Sequence, residues 1–76
     1  MNRYFFDRVS DGRAEYDYRG RELSTPEAAR QLAEIIALDL ELMDEGGWSG
    51  WAINVRTAIG QQLFSVPIPA ASAMAA

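Results

Sequence analysis

The amino-acid sequence predicts an α+β domain in which an antiparallel sheet of two hairpins carries one long helix on one face, in the order ββαββ. The helix is predicted from apolar residues at helical spacing over Thr25–Glu45. The hairpins are predicted from apolar segments on either side of it, each divided by a glycine-containing turn. We expect residues 1–69 to form this single domain and the alanine-rich residues 70–76 to be a disordered tail.

The first hairpin is predicted around Asp11-Gly12, a dipeptide that favours tight turns. Its strands are Arg3–Val9 and Arg13–Tyr18, which are rich in aromatic and β-branched residues. A turn centred on this dipeptide gives four facing pairs: Val9 with Ala14, Arg8 with Glu15, Asp7 with Tyr16, and Phe5 with Tyr18.

Strand one carries aromatic side chains on both faces, with Phe5 on one and Tyr4 and Phe6 on the other. A strand that is apolar on both faces is buried on both or exposes one as a contact surface. We expect the face with Tyr4 and Phe6 to be an exposed contact surface. The alternative is a half-exposed Tyr4 whose hydroxyl group lies in water.

The helix start has two interpretations. Thr25 caps it with Pro26 at the first helical position, or Ser24 caps it and Glu27 completes a capping box. At the other end, the Gly46–Gly47 pair is expected to end the helix in a left-handed conformation.

Two apolar stripes run along the predicted helix. The stripe assigned to the core comprises Ala29, Leu32, Ala33, Ile36, Leu40 and Met43. A second stripe, formed by Ile35, Leu38 and Leu42, exceeds what one small sheet is expected to cover and indicates a self-association surface. Asp39 falls between the stripes, where we expect it to lie at the rim, to pair with an arginine or to have a functional role.

The second half of the helix is acidic, which suggests either a solvated face or a basic partner. Its acids are Glu34, Asp39, Glu41, Asp44 and Glu45.

The second hairpin is predicted from Trp51–Thr57 and Gln62–Ile68, with Ile59-Gly60 at the centre of its turn. Because Pro67 cannot donate a ladder hydrogen bond, the last strand is expected at a sheet edge. The expected apolar pairs are Val55 with Phe64, Ile53 with Val66, and Trp51 with Ile68. Before this hairpin, Trp48 either covers the helix end or belongs to an aromatic binding site.

Composition excludes several classes of function. The 76-residue chain has no cysteine and no histidine, so thiolate chemistry, Ser-His pairs and the common metal sites are ruled out. Its net charge of −4 argues against a nucleic-acid-binding domain. Neither a membrane span nor a signal peptide is indicated, so a cytoplasmic location is expected. Asp7, Asp17 and Glu22 could gather near one cation, but pairing with Arg8, Arg19 or Arg21 is favoured.

The N-terminal half resembles a known family. Arg3-Tyr4-Phe5-Phe6-Asp7, Asp11-Gly12, Asp17-x-x-Gly20-x-Glu22-Leu23 and Ala28-Ala29 are similar to the motifs of small alphaproteobacterial proteins catalogued as a domain of unknown function. The resemblance spans about residues 2–68 and implies a small, cytoplasmic bacterial domain. It implies no activity, cofactor or catalytic residue.

The sequence therefore predicts a non-enzymatic, self-associating protein-interaction module, most simply a homodimer, without cofactor, metal, nucleic-acid or membrane binding. The candidate interface residues are Tyr4, Phe6, Ile35, Leu38, Leu42 and Trp48. One alternative is a monomeric domain that binds a small ligand through Tyr4, Phe6, Tyr16 or Trp48. Another is an antitoxin-like acidic partner of a basic protein.

Overall fold

The computed structural model describes residues 1–44 and 47–69. In these residues it has five strands and one helix: β1 Asn2–Ser10, β2 Arg13–Glu15, β3 Arg21–Leu23, α1 Pro26–Met43, β4 Ala52–Thr57 and β5 Gln62–Pro67. The sheet is antiparallel in the order β2-β1-β4-β5, and β3 pairs with β1 on the same side as β2. The predicted α+β class is confirmed, and β3 is an additional strand within the predicted connection.

The first hairpin keeps its predicted register only near the turn. Val9 pairs with Ala14 and Arg8 with Glu15, and Gly12 has a φ of 74°. Beyond Glu15 the strand ends, so the predicted pairs of Tyr16 with Asp7 and of Tyr18 with Phe5 do not form. The chain leaves the sheet there and returns to it as β3.

The helix begins as one of the two predicted interpretations has it. Thr25 is the N-cap, its hydroxyl oxygen accepts a hydrogen bond of 3.1 Å from the Ala28 amide, and Pro26 is the first helical residue. The helix ends at Met43, with Asp44 as its C-cap. Gly47 is not among the glycines with positive φ, so the predicted left-handed end is wrong for Gly47. Glu45, Gly46 and the predicted tail, residues 70–76, lie outside the described residues.

The helix lies over β4 and β5 and packs against them with small side chains. Its buried residues are Ala29, Ala33, Ala37 and Glu41, spaced four apart on one side of the helix. Alanines at this spacing let the helix approach the sheet closely, while Leu32, Ile36 and Leu40 are only partly buried beside them. Met43, which was predicted in the core, is 82% exposed because it lies at the last turn of the helix.

The core beneath the helix comes from alternate residues of the two central strands. Ile53 and Val55 are fully buried, and Tyr4 and Phe6 are buried beside them. The expectation that Tyr4 and Phe6 lie on an exposed face, and the alternative of a half-exposed Tyr4, are therefore wrong. These two residues share the face that α1 covers, because Phe6 pairs directly with Val55.

The second hairpin has the predicted register up to Val55, and a bulge between Val55 and Arg56 shifts it by one residue nearer the turn. Val55 pairs with Phe64 and Ile53 with Val66. The Ile68 amide donates a hydrogen bond of 2.9 Å to the Trp51 carbonyl, and β5 is an edge strand. Within the described residues, no helix combines the length and the apolar character needed to cross a membrane.

Candidate functional site

The outer surface of α1 carries a row of exposed apolar side chains. Ile35, Leu38 and Leu42, which we call the outer helix stripe, are 56%, 41% and 73% exposed. Asp39 follows Ile35 by four residues and precedes Leu42 by three, so its carboxylate lies beside this stripe. Asp39 is exposed, as expected for a residue at the rim of the apolar surface.

A groove runs between α1 and the segment that leaves the sheet after β2. It has a volume of about 640 Å³. On the helix side it is bounded by Leu32, Ile36 and Leu40, which are partly buried. The remaining lining residues come from the first half of the chain: Phe6, Arg8, Glu15, Tyr16, Asp17, Tyr18, Arg19, Gly20 and Arg21. We call this feature the arginine groove.

The groove exists because the helix does not cover the whole sheet. The axis of α1 follows β4 and β5, and β2 lies two strands away from β4 in the sheet. The space above β1 and β2 is therefore bounded by the flank of the helix and by residues 16–20. Phe6, Arg8 and Glu15 line its floor, and its wall carries Tyr16 and Tyr18, which are 57% and 88% exposed.

The arginines of the groove differ in their partners. Arg8 forms an ion pair of 2.9 Å with Glu15. Within residues 1–44 and 47–69, the side chains of Arg19 and Arg21 form no hydrogen bond, ion pair or ring contact. The other four arginines all have side-chain partners: Arg3 with Glu22, Arg13 with Trp51, Arg30 with Glu27, and Arg56 with Asp7. Both arginines that are unpaired among the described residues therefore border the groove.

The position of the groove wall is fixed by Asp17. Its carboxylate accepts hydrogen bonds from the amides of Phe6 at 3.2 Å, Arg19 at 2.9 Å and Gly20 at 3.1 Å. Phe6 lies in the part of β1 between its pairings with β2 and β3, where no strand of the described chain accepts its amide. The Asp17 side chain takes the place of such a strand. The Asp17 amide in turn donates to the Asp7 carboxylate at 2.8 Å.

The charge state of Asp17 follows from these contacts. Burial raises the pKa of this carboxyl group, but the amides of Arg19, Gly20 and Phe6 and the positive charge of Arg56 outweigh burial. The net pKa of Asp17 is lower than its ordinary value, so the group is held ionised. A stable carboxylate suits a structural acceptor rather than a proton donor.

Trp48 lies at the end of the sheet, in a cluster with two arginines. The Arg8 guanidinium lies 5.3 Å from the Trp48 ring centroid, and the Trp48 and Trp51 rings meet edge to face at 5.2 Å. Arg13 lies 5.7 Å from the Trp51 ring centroid. Trp48 is partly buried, so its ring already packs within the chain, and the cluster holds the residues after α1 against the first hairpin.

The three carboxylates considered for a cation have separate partners. Asp7 pairs with Arg56 and Glu22 with Arg3, so the arginines favoured from the sequence were the wrong ones. Asp17 binds backbone amides. Among the described residues, no group of three or more acidic side chains is arranged to hold a metal ion.

Sequence reasoning missed Arg19 and Arg21 as groove residues because it assigned them to carboxylates or to a plain connection. A signal was present over Tyr16–Arg21, YDYRGR, where two tyrosines are followed by two arginines in a short segment before the helix. Of the predicted candidates, Tyr16 and Phe6 meet in the groove, whereas the outer helix stripe lies on the helix beside it.

The architecture defines a small α+β domain with one helix packed on an antiparallel sheet and an open groove at its side. The family model described as "Domain of unknown function (DUF6894)" matches residues 3–69. The chain therefore belongs to this family, which confirms the resemblance found in its sequence; the bacterial source stays a prediction. No curated protein and no solved structure matches the chain.

Proposed function

We propose that this protein is a non-enzymatic interaction module that forms a homodimer through the outer helix stripe. The observation that carries the proposal is the exposure of three large apolar side chains in register, of which Leu42 is 73% exposed. Full burial of such a side chain contributes about 1.5–3 kcal/mol. Covering all three is therefore a substantial driving force for association.

The size of the chain supports the same proposal. A domain of about 60–80 residues buries a smaller fraction of its unfolded surface than a larger domain does, and assembly commonly supplements its core. Here the helix face against the sheet is made largely of alanines, while larger side chains such as Ile35 and Leu38 point away. A second copy would give those side chains the burial that the sheet does not provide.

The non-enzymatic part of the proposal is supported by the state of the groove carboxylate. General acid–base catalysis is most effective when a group titrates near the working pH. The pKa of Asp17 is shifted in the opposite direction, and its oxygens are engaged by backbone amides. The expected cytoplasmic location is part of this proposal and is testable by fractionation of the native cell.

The proposal is tested by measuring the solution mass over a hundredfold range of concentration, by light scattering and by sedimentation equilibrium. We expect a dimer that dissociates on dilution. Leu38→Asp should produce a monomer at concentrations where the wild-type chain is dimeric, because a charge replaces an apolar contact.

The matched control is Ile59→Asp, which makes the same kind of change at a side chain that is 88% exposed in the turn between β4 and β5. This variant should remain dimeric. A wild-type mass equal to one chain at every concentration would rule out the proposal.

A second candidate function follows from the arginine groove. Its volume is within the range of small-molecule sites, and its apolar helix side together with Arg19 and Arg21 suits an amphipathic anion. Calorimetric titration with decanoate tests this candidate. Absence of binding at millimolar concentration would remove it. The antitoxin-like alternative stays a prediction.

A further inference from the structure

Two surface features lack a counterpart among the described residues. The first is the arginine groove, where the unpaired side chains of Arg19 and Arg21 lie across from the apolar helix side formed by Leu32, Ile36 and Leu40. The second is the outer helix stripe with its exposed carboxylate, Asp39, which forms no ion pair with any described residue. The groove offers apolar surface and positive charge, and the stripe offers apolar surface and negative charge.

The two features are adjacent on the molecule. Leu32 and Ile36 bound the groove, and Ile35 follows Leu32 by three residues on the same helix. Leu32 and Ile35 are therefore neighbours on the helix surface, and the exposed Asp39 lies between the groove side of the helix and the stripe. A single docked partner of suitable shape would cover both the groove and the stripe.

We propose that the arginine groove of each copy receives the outer helix stripe of the other, so that Asp39 of one chain meets Arg19 and Arg21 of its partner. This inference rests on the proposed homodimer and adds its geometry. The arrangement is a two-fold, self-complementary interface, in which each chain contributes one groove and one helix. The docking mode is that of an amphipathic helix in an apolar groove.

A second copy accounts for more of the surface than a small ligand does. A small anion in the groove would pair Arg19 and Arg21 but would leave Leu38 and Leu42 exposed. A stable dimer buries roughly 800 Å² on each partner, about a sixth of the 5065 Å² that this chain exposes. The groove and the stripe lie side by side, so an interface of this size can include both.

The net charge of the chain limits how a second copy can dock. The protein carries a net charge of −4, so two copies repel each other unless their facing surfaces are locally complementary. Pairing Asp39 with Arg19 and Arg21 supplies that complementarity twice in each dimer. It also sets the relative orientation of the two helices, because like-charge contacts at an interface cost several kcal/mol.

The test uses full-length chains with reversed charges on opposite sides of the proposed contact. One variant carries Arg19→Glu and Arg21→Glu, and the other carries Asp39→Arg. Each alone should dimerise at least about tenfold more weakly than the wild-type chain, because both of its contacts then join like charges. Circular dichroism checks that each variant is folded.

The decisive sample is an equimolar mixture of the two variants. In a mixed dimer one contact is native and the other is fully reversed, so both are attractive again. We expect the mixture to form dimers at concentrations where each variant alone is monomeric. Asp11→Arg, an equal charge change in the first turn, serves as the control and should dimerise like the wild-type chain.

Three outcomes would overturn the inference. A wild-type dimer weakened by Leu38→Asp but by neither set of charge reversals overturns the docking mode and leaves the proposed function standing. A mixture that stays monomeric likewise overturns the reciprocal contact. A monomeric wild-type chain overturns both proposals, and if decanoate binding to it is lost with Arg19→Glu and Arg21→Glu, the groove belongs to a small anion.

Discussion

Asp7 and Arg56 form an ion pair of 2.6 Å between β1 and β4, on the sheet face opposite the helix. The same guanidinium donates to the Asp17 carbonyl at 3.0 Å and lies 4.6 Å from the ring centroid of Phe5. The Asp7 carboxylate also accepts the Asp17 amide. One pair of side chains thus joins the centre of the sheet to the segment that forms the groove wall.

Replacing Arg56 with methionine is expected to destabilise the fold by on the order of 3 kcal/mol, because Asp7 is buried and would lose its cationic partner. Urea unfolding monitored by circular dichroism measures this change. Adding Asp7→Asn to Arg56→Met should recover part of the loss, since it removes the buried charge. Equal destabilisation in the single and double variants would show that the unpaired Asp7 carboxylate is not the cause of the loss.

Asp17→Asn is expected to destabilise the fold at pH 7 by about 1–3 kcal/mol, because a carboxamide offers one acceptor oxygen to amides that now bind two. The loss should depend on pH. The pKa of Asp17 in the fold lies below its ordinary value of 3.8, so its contribution is complete above that value and is lost as the pH falls through the folded-state pKa.

The measurement is the difference in unfolding free energy between wild type and Asp17→Asn from pH 7 to pH 2. This difference should be constant at neutral pH and shrink below about pH 4, because Asp17 then binds a proton more readily in the unfolded chain than in the fold. A difference that stayed unchanged down to pH 2 would contradict the role assigned to the charge.

Gly20→Ala is expected to lower the free energy of unfolding by about 2 kcal/mol or more. Gly20 has a φ of 73°, and a β-carbon there would lie 2.9 Å from the Tyr4 carbonyl oxygen and 2.9 Å from the Arg3 side chain. The control is Gly12→Ala, at a φ of 74° but with no atom within 4 Å of the added carbon. That variant should lose only the ~1 kcal/mol of a left-handed residue. Equal melting temperatures for the two variants would refute the close approach at Gly20.

Ala33→Leu is expected to destabilise the fold by about 1–3 kcal/mol, because Ala33 is fully buried where the helix meets the sheet. The larger side chain has to displace the helix from Ile53 and Val55. Gln31→Leu, on an exposed position of the same helix, should change stability by less than about 0.5 kcal/mol. Thermal unfolding of the two variants compares them directly, and a fully stable Ala33→Leu would show that the helix packs loosely.

Local signals made the second hairpin and the helix start predictable. Ile53 and Val55 alternate with polar residues, and Thr25-Pro26 is a strong helix-start signal, so local chemistry and tertiary packing agree. The buried side of the helix was harder to predict from the sequence. Helical spacing predicted that large residues such as Met43 would be buried. The sheet instead contacts the alanine row, Ala29, Ala33 and Ala37. Whether Ala37 or Met43 is buried depends on the distance between the helix and the sheet.

Sequence patterns could not predict the groove, because it depends on one side chain that accepts a hydrogen bond normally made by the backbone of a neighbouring strand. Alternating aromatic residues over the first hairpin predicted that β2 would continue through Tyr18. Instead the Asp17 carboxylate takes the Phe6 amide, and the chain turns away. No periodicity distinguishes an aspartate that accepts three backbone amides from one that is solvated.

The pairing of β1 with β4 has a consequence for the order in which the protein acquires its structure. Tyr4 pairs with Thr57, so the central contact of the sheet joins residues from nearly opposite ends of the described chain. On the ribosome, the first hairpin and the helix emerge before β4 exists, and Phe6 and the alanine row have no sheet to close on. We expect the closure of this long loop to be the slow step of folding, because contacts between residues far apart in the sequence form slowly.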